Sequence, residues 1–309
     1  MESKTGRDVQ LSDILGAGMP KDILSEARRF YKADYPEADA KLVDKVFLLV
    51  KRLYDGRLPG YLACAVQYHD YAHCVSVFGA VSRLVDGCHL AGIGLDARLA
   101  LETLVAALIH DTGYIREEGD ENGSGAQYTK VHVARSSDFA RREAGKLGLD
   151  QDSAERVARM ILGTDIAIPW SQFSFQSEAE RRGAEILAAA DLLGQMADRA
   201  YLEKLLFLYY EFREAGIDGY DSAFDILRKT AGFYESTKAR LDGQLGAVSC
   251  RSREHFAARY GVDRDLYREA IERQMAYLAA ILADDSTNLR KKLKRMDIDA
   301  IERRRAETA

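Results

Sequence analysis

Cysteine, proline and long apolar runs are scarce in this 309-residue sequence, and each shortage argues against a class of protein. The four cysteines form no CxxC pair, which disfavours a disulfide framework and indicates reduced thiols in a cytoplasmic protein. They are Cys64, Cys74, Cys88 and Cys250. No apolar run approaches the roughly 18 residues that a membrane span needs. The polar N-terminus, MESKTGRDVQ, lacks the apolar stretch of a secretion signal, so we expect none.

Positive charge is also in short supply. The 44 lysines and arginines are outnumbered by 49 acidic residues, for a net charge of −5. A general nucleic-acid binder normally carries a basic surface, so we expect neither a nucleic acid nor a membrane as partner. The exception is RKKLKR at 290–295, followed by RRR at 303–305. This cluster indicates either a solvated last helix or a docking surface for an anionic partner. The sequence leaves a homodimer open.

Alternating strand patterns are nearly absent, while helical periodicity runs through the chain. We therefore predict an all-α fold: one compact bundle with helical extensions at both ends. The predicted parts are an N-terminal helical extension (1–60), a helical core (61–240), which contains the candidate metal ligands described below, and C-terminal helices packing on that core (241–309). Helices are predicted over 22–36, 37–56, 70–86, 96–111, 126–147, 151–162, 177–197, 198–214, 221–241 and 264–283, with one more in the tail.

The stretch YHDYAH, residues 68–73, holds two of the six histidines. On a helix, His69 and His73 would share one face, with Asp70 close to His73. The face of His73 continues with apolar residues, so this histidine points inward. A hydrogen-bonded core histidine and a metal ligand are both open for it.

A second stretch, LVAALIHDTGY, ends a helix that is apolar all round. His110 and Asp111 stand side by side at its buried end. The pair is either a hydrogen-bonding device at the helix end or a pair of metal ligands. Metal binding is favoured, because imidazole nitrogen and carboxylate oxygen are donors that divalent cations select.

Three further places put polar residues in apolar surroundings. Asp191 is the lone charge in ILAAADLLG and needs a cation, since burying an unpaired carboxylate is costly. Thr164 and Asp165 interrupt ILGTDIAI, where Asp165 either bonds locally or serves a site. His132 lies in a helical pattern and offers another nitrogen ligand. His89 and His255 sit among polar residues, and both are predicted to be surface histidines.

The order of these residues, a His, then His-Asp, then a distant Asp on separate helices, resembles the HD-domain superfamily of metal-dependent phosphohydrolases. That resemblance implies an all-α fold in which His73, His110, Asp111 and Asp191 bind a divalent ion. It implies one or two ions and leaves Mn, Mg, Zn, Fe and Co open.

Within the superfamily, the sequence is most similar to the cyclic-nucleotide phosphodiesterase branch. YHDYAH resembles its Y-H-N-x-x-H, which implies that His69 protonates the leaving oxygen. LGTDI resembles its A-T-D-M and implies that Thr164 and Asp165 lie near metal-bound water, while His132 falls near a second metal. Two positions depart from the branch. Tyr114 replaces a third histidine, and Thr230 stands where a purine-binding glutamine is expected.

The resemblance implies a phosphohydrolase acting on a phosphodiester or phosphomonoester of a small, nucleotide-like substrate. Asp111 would bridge two ions if two bind, and His69 would be the general acid. Asp70 or Asp165 would orient His69 or the attacking water. Two alternatives stay open: a di-iron oxygenase of the same fold, and a non-catalytic nucleotide sensor.

Overall fold

The computed structural model describes residues 9–16, 18–120, 122–283, 289–298 and 303. Across these residues the chain is helical, and its β pairing is limited to one isolated antiparallel bridge between Tyr61 and Glu117. The all-α prediction is confirmed. The helices are α1 (Leu11–Leu15), α2 (Pro20–Asp34), α3 (Lys41–Tyr54), α4 (Tyr71–Leu90), α5 (Ala97–Ile109), α6 (His132–Arg142), α7 (Ala144–Leu147), α8 (Gln151–Leu162), α9 (Glu178–Met196), α10 (Tyr201–Glu214), α11 (Ala223–Ala239), α12 (Ser252–Tyr260), α13 (Leu266–Ala283) and α14 (Leu289–Lys292).

Helix ends follow the expected chemistry. Helix α2 stops two residues before Pro36, and Gly56, just after α3, has a φ of +68° that glycine adopts without strain. The helix predicted over 126–147 is divided into α6 and α7, preceded by a 3₁₀ turn at Ala126–Tyr128. In the tail, α14 covers part of the predicted last helix. The N-terminal residues 1–8 and the basic residues 304–305 lie outside the described residues.

Helices α4 and α5 form the centre of the bundle and are buried on nearly every side. Helix α4 packs against α2, α5, α9 and α12, while α5 packs against α3, α8 and α9. The approach of α4 and α9 is close at Gly194, where a Cβ atom would lie 3.1 Å from the backbone nitrogen of Val77. Each of these residues is about one turn from a predicted ligand, so the contact brings His73 and Asp191 together.

The terminal helices share the same continuous apolar core. Helix α2 packs on α4, α13 packs on α9, and α12 covers the C-terminal half of α4. All four cysteines are free thiols. Among the described helices, none combines the length and the apolar character that crossing a bilayer requires.

Helix α12 changes the interpretation of one histidine. His89 is exposed as predicted, but His255 is fully buried, so its prediction as a surface residue is wrong. His255 Nδ1 lies 2.6 Å from Asp86 Oδ2, and Arg259, one turn later, donates to Asp86 Oδ1 and Asp34 Oδ1. The polar neighbours in the sequence belong to this buried network. We call Asp34, Asp86, His255 and Arg259 the arginine-paired cluster.

Candidate metal centre

Four predicted ligands meet at the middle of the bundle. His73 lies in the first turn of α4, His110 and Asp111 follow the end of α5, and Asp191 lies in α9. The Nε2 atoms of His73 and His110 are 3.3 Å apart. Asp111 Oδ2 lies 3.1 and 3.2 Å from these nitrogens, and Asp191 Oδ1 lies 3.3 and 3.7 Å from them. We call these four residues the central cluster.

The donor atoms converge without completing their hydrogen bonds. Asp111 Oδ2 is buried and has no hydrogen-bond partner, although two imidazole nitrogens lie close to it. His110 Nδ1 lies 2.8 Å from the carbonyl of Ala107, to which it donates, and this bond turns Nε2 toward the cluster. One ligand atom each from His73, His110 and Asp111 lies within 4.8 Å of the others. This donor set fits a divalent cation.

The carboxylates of the cluster are faced by histidines and not by lysine or arginine. In the described part of the chain, no lysine or arginine forms an ion pair with Asp111 or Asp191, and the amide of Gln195 donates to Asp191 at 3.0 Å. Burial alone would lower the pKa of His73, but the nearby carboxylates of Asp111 and Asp191 raise it to about 9. Burial would raise the pKa of Asp111, yet the positive charge of His110 holds it well below its usual range.

His69 lies beside the cluster but not on α4. The helix begins at Tyr71, and Asp70 is its N-cap, accepting a 2.9 Å hydrogen bond from the backbone nitrogen of His73. The prediction that both histidines share a helical face is therefore wrong, because aspartate is a favoured N-cap and starts the helix after His69. The carboxylate of Asp70 therefore caps α4 through the backbone of His73. A different residue orients the ring of His69.

Glu211 of α10 provides that orientation. Its Oε2 lies 2.6 Å from His69 Nδ1, and its Oε1 accepts hydrogen bonds from the backbone nitrogens of Gln67 (3.1 Å) and Tyr68 (2.7 Å). One buried carboxylate thus fixes both the ring of His69 and the backbone that leads to it. The other ring nitrogen, Nε2, stays available for chemistry.

Glu211 was not identified from the sequence. It follows Phe207 by one turn on the buried face of α10. A charged residue on an apolar helical face is the same signal by which Asp191 on α9 was identified. In LYYEFREAG, however, Glu211 has charged neighbours and does not stand out. One of them, Glu214, accepts bonds from the backbone and the hydroxyl of Ser124 and so anchors a second loop.

Tyr114, the residue at the expected third histidine, fills the space between two histidine rings. It stacks on His69 with ring centroids 4.4 Å apart and on His132 at 4.5 Å. His132 Nδ1 lies 2.6 Å from the carbonyl of Thr129, and its Nε2 lies 3.7 Å from Asp111 Oδ1. This side of Asp111 therefore faces one further nitrogen donor and a phenol ring.

Gly113 explains how His132 comes so near. A Cβ atom at this position would lie 2.0 Å from the carbonyl oxygen of His132, so only glycine permits the approach. The backbone nitrogen of Gly113 also donates to the hydroxyl of Ser136 on α6 at 2.8 Å. The His-Asp-Thr-Gly stretch thus docks the start of α6 beside the central cluster.

The remaining predicted site residues make local contacts. Thr164 donates from its hydroxyl to the carbonyl of Ile161 at 2.9 Å, and Asp165 Oδ1 accepts from the backbone nitrogen of Ala167 at 2.9 Å. Thr230 is buried and donates to a carbonyl of its own helix. The substrate or water-binding roles of Thr164 and Asp165 stay predictions.

The edge of the central cluster is partly exposed. A small cleft lies beside His73, and the side chains of His69, His132 and Asp191 keep between 13% and 21% of their surface exposed. The cleft is lined by Tyr68, His73, Ser76, Gly194, Gln195, Asp198, Tyr201 and Lys204. Solvent therefore reaches the Asp191 edge of the cluster.

A comparison with known protein families gives a match over part of the chain. A family model described as Npun_R2479-like matches residues 117–241, which is less than half of the chain. The description names no activity. The matched region contains Asp191 and Glu211 but begins after His73 and the His110–Asp111 pair. No curated protein matches the chain significantly. No solved structure does so either.

Proposed function

We propose that the protein is a metal-dependent phosphohydrolase of the HD-domain type, acting on a small, nucleotide-like phosphate ester. The observation that carries the proposal is the buried Asp111 Oδ2, which faces two imidazole nitrogens without a hydrogen bond and without a lysine or arginine ion pair in the described chain. A buried carboxylate oxygen that faces two imidazole nitrogens without a lysine or arginine is an arrangement that a bound cation would complete.

His73, His110, Asp111 and Asp191 would hold the ion. A bound divalent cation lowers the pKa of water toward ~7 and neutralises phosphoryl oxygens. We propose that a single ion is held tightly. On the far side of Asp111, the nearby donors are its own Oδ1 and His132 Nε2, and the ring of Tyr114 occupies the space beside them.

The residues of the chain then handle the proton. In this proposal His69 gives a proton from Nε2 to the leaving oxygen, while its Nδ1–H remains hydrogen-bonded to the carboxylate of Glu211. The Glu211 carboxylate stabilises the positively charged ring before transfer and keeps its orientation. The stacking of Tyr114 on His69 restricts rotation of the ring from the other side.

The first test is turnover with added Mn²⁺ on an aryl diester, an aryl monoester, cyclic nucleotides and mononucleotides. Wild type is compared with Asp111→Asn and with Asp152→Asn, an exposed carboxylate on α8 as control. Turnover that needs Mn²⁺ and Asp111 but not Asp152 supports the proposal. Bound metal without turnover on any substrate contradicts it and directs attention to iron-dependent oxygen chemistry or nucleotide sensing.

A further inference from the structure

Two side chains outside the central cluster hold one of its carboxylates. Gln195 lies one turn after Asp191 on α9, and its Nε2 donates a 3.0 Å hydrogen bond to Asp191 Oδ1. The Oε1 atom of the same amide accepts a 2.9 Å hydrogen bond from the hydroxyl of Tyr68. Tyr68, Gln195 and Asp191 therefore form a chain of hydrogen bonds that ends at the cluster. We call Tyr68 and Gln195 the supporting pair.

The chemistry of the three groups allows this chain one direction. An ionised carboxylate only accepts hydrogen bonds, so the NH₂ end of Gln195 faces Asp191. The carbonyl oxygen of the amide then faces the phenol, and Tyr68 donates to it. The amide of Gln195 is thus held at both ends, and turning it over would break both hydrogen bonds.

The oxygen that accepts from Gln195 is the same oxygen that faces the imidazoles. Asp191 Oδ1 lies 3.3 Å from His73 Nε2 and 3.7 Å from His110 Nε2. Rotation of an aspartate carboxylate about χ2 is only weakly restricted by its own covalent structure. The hydrogen bond from Gln195 restricts this rotation and keeps Oδ1 directed at the nitrogen donors.

A simpler role for Gln195 is an Asp–Gln pair one turn apart on a helix, which stabilises that helix slightly. The contacts of Tyr68 argue against this simpler role. Its side chain is 4% exposed, and its backbone nitrogen donates to Glu211 Oε1 at 2.7 Å. A buried tyrosine, held at its backbone and bonded to the far end of Gln195, is something that a helix pair does not need.

We propose that Tyr68 and Gln195 are positioning residues for metal binding, which hold Asp191 Oδ1 in the direction in which it binds the ion. The inference rests on the metal centre of the proposed phosphohydrolase and adds two residues to it. A ligand that is already oriented by hydrogen bonds binds metal more tightly than a ligand that is free to rotate. Tyr68 acts on the ion only through Gln195, and this dependence can be measured.

The experiment is a double-mutant cycle on Mn²⁺ affinity. Wild type is compared with Gln195→Met, Tyr68→Phe and the double variant, because methionine keeps the length of glutamine and phenylalanine keeps the ring of tyrosine. Tyr31→Phe is the matched control. Tyr31 is also 4% exposed and also donates a 2.9 Å hydrogen bond, to the carbonyl of Ala97 at the opposite end of α5 from His110.

Three quantities are measured on each protein. Mn²⁺ is titrated calorimetrically into the metal-free protein to give the Kd. Urea unfolding of the metal-free protein gives its stability. The visible absorption of bound Co²⁺ reports the geometry of the metal ligands, which a purely structural role of the supporting pair would leave unchanged.

We expect Gln195→Met to weaken Mn²⁺ binding roughly 10- to 100-fold, as for loss of a ligand's hydrogen-bond partner. Tyr68→Phe should weaken it roughly 2- to 10-fold, as for loss of one neutral hydrogen bond. The double variant should match Gln195→Met within about twofold, because Tyr68 then has no amide to hold. The Co²⁺ spectrum should change in both single variants. Tyr31→Phe should bind Mn²⁺ like wild type.

Two results overturn the inference. The first is wild-type Mn²⁺ affinity with an unchanged Co²⁺ spectrum in folded Gln195→Met, or in Tyr68→Phe if Gln195→Met does not fold. The second is a double variant in which the two losses multiply, since Tyr68 would then act independently of Gln195. If wild type binds Mn²⁺ but hydrolyses no ester, the hydrolase proposal fails, while these affinities still decide the inference. Wild type that binds no Mn²⁺ overturns both.

Discussion

The central cluster and the arginine-paired cluster contain similar residues in similar surroundings. Each buries at least one histidine against two aspartates between helices. In the arginine-paired cluster, Arg259 donates to both carboxylates and His255 forms a 2.6 Å hydrogen bond with Asp86. Each cluster leaves one aspartate oxygen without a hydrogen bond, Asp34 Oδ2 and Asp111 Oδ2 respectively. The difference is that, in the described chain, no lysine or arginine pairs with the carboxylates of the central cluster.

The difference separates structural from functional burial of charge. A buried carboxylate can be compensated by a fixed cation from the chain or by one that the chain binds. The arginine-paired cluster uses the first solution and therefore ties α2, α4 and α12 together. The central cluster keeps its nitrogen and oxygen donors open. The presence of a basic partner, more than the histidine itself, distinguishes the two.

The largest expected effect is loss of metal binding in Asp111→Asn. Removing a residue that only hydrogen-bonds to a metal ligand typically weakens metal binding roughly 10- to 100-fold. Because Asp111 is itself a ligand in this account, we expect Mn²⁺ affinity to fall by more than that. Turnover should disappear with it, because both depend on the same carboxylate. Calorimetric titration of Mn²⁺ checks the first effect and substrate kinetics the second. His110→Ala should behave alike, and normal Mn²⁺ affinity in both variants would refute the ligand assignment.

The next largest effect distinguishes the proposed general acid, His69, from the proposed metal ligands. His69→Ala should keep Mn²⁺ but lose roughly 10²- to 10⁴-fold in kcat, as expected for removal of a general acid. The loss should be greatest for substrates with poor leaving groups. Glu211→Gln should show a smaller loss, since it retains the size of the side chain but not its charge. Loss of Mn²⁺ from His69→Ala would instead make His69 a ligand.

The arginine-paired cluster should respond in stability and not in metal binding. Arg259→Met leaves Asp34 and Asp86 without their cation, so we expect the free energy of unfolding to fall by about 3–5 kcal/mol. Urea unfolding of the metal-free protein measures this change. Folded Arg259→Met should bind Mn²⁺ like wild type. An unchanged stability would remove the contrast between the two clusters.

Metal should stabilise the protein only through the central cluster. At a free Mn²⁺ concentration 100 times the Kd, binding contributes about 2.7 kcal/mol to the free energy of unfolding. A thermal shift that is reversed by chelation, persists in Arg259→Met and is absent in Asp111→Asn is the expected pattern. An equal shift in all three proteins would place the ion elsewhere.

The smallest effect concerns pH. Burial, with the charge of Asp86 second, raises the pKa of Asp34 to about 7, while burial lowers the pKa of His255 and keeps that ring neutral. Because the folded protein holds this proton more tightly than the unfolded chain, the contribution of Asp34 to stability is greatest below about pH 4. That contribution falls as the pH rises to about 7.

Asp34→Asn removes this titration. Its stability relative to wild type should rise between pH 5 and pH 7 and then level off, as measured by urea unfolding at several pH values. A difference that is constant over this range would show that Asp34 keeps an ordinary pKa.

The ligand residues were predictable because their surroundings are simple. His110, Asp111 and Asp191 interrupt apolar helices, where one polar residue has no local explanation. Periodicity likewise predicted most helices, since each buries a regular apolar face. The structure brings all four predicted ligands together, and their binding of metal stays a prediction.

Other features depend on contacts that no local pattern contains. Glu211 reaches His69 across 142 positions of sequence, and its charged neighbours on α10 hide its burial. His255 appeared exposed because its basic neighbour Arg259 forms a buried bond with a distant helix. The start of α4 lies within one residue of the prediction, but N-capping by Asp70 leaves His69 outside the helix, so the spacing of the two histidines did not reflect a shared helical face.

The central claim is that the central cluster binds a divalent ion, and anomalous diffraction from crystals soaked in Mn²⁺ tests it most directly. The account predicts one strong manganese peak within bonding distance of His73, His110, Asp111 and Asp191. It predicts no peak of similar height between Asp111 and His132. A cluster without manganese, with Asp111 Oδ2 hydrogen-bonded to its neighbours, would contradict the account.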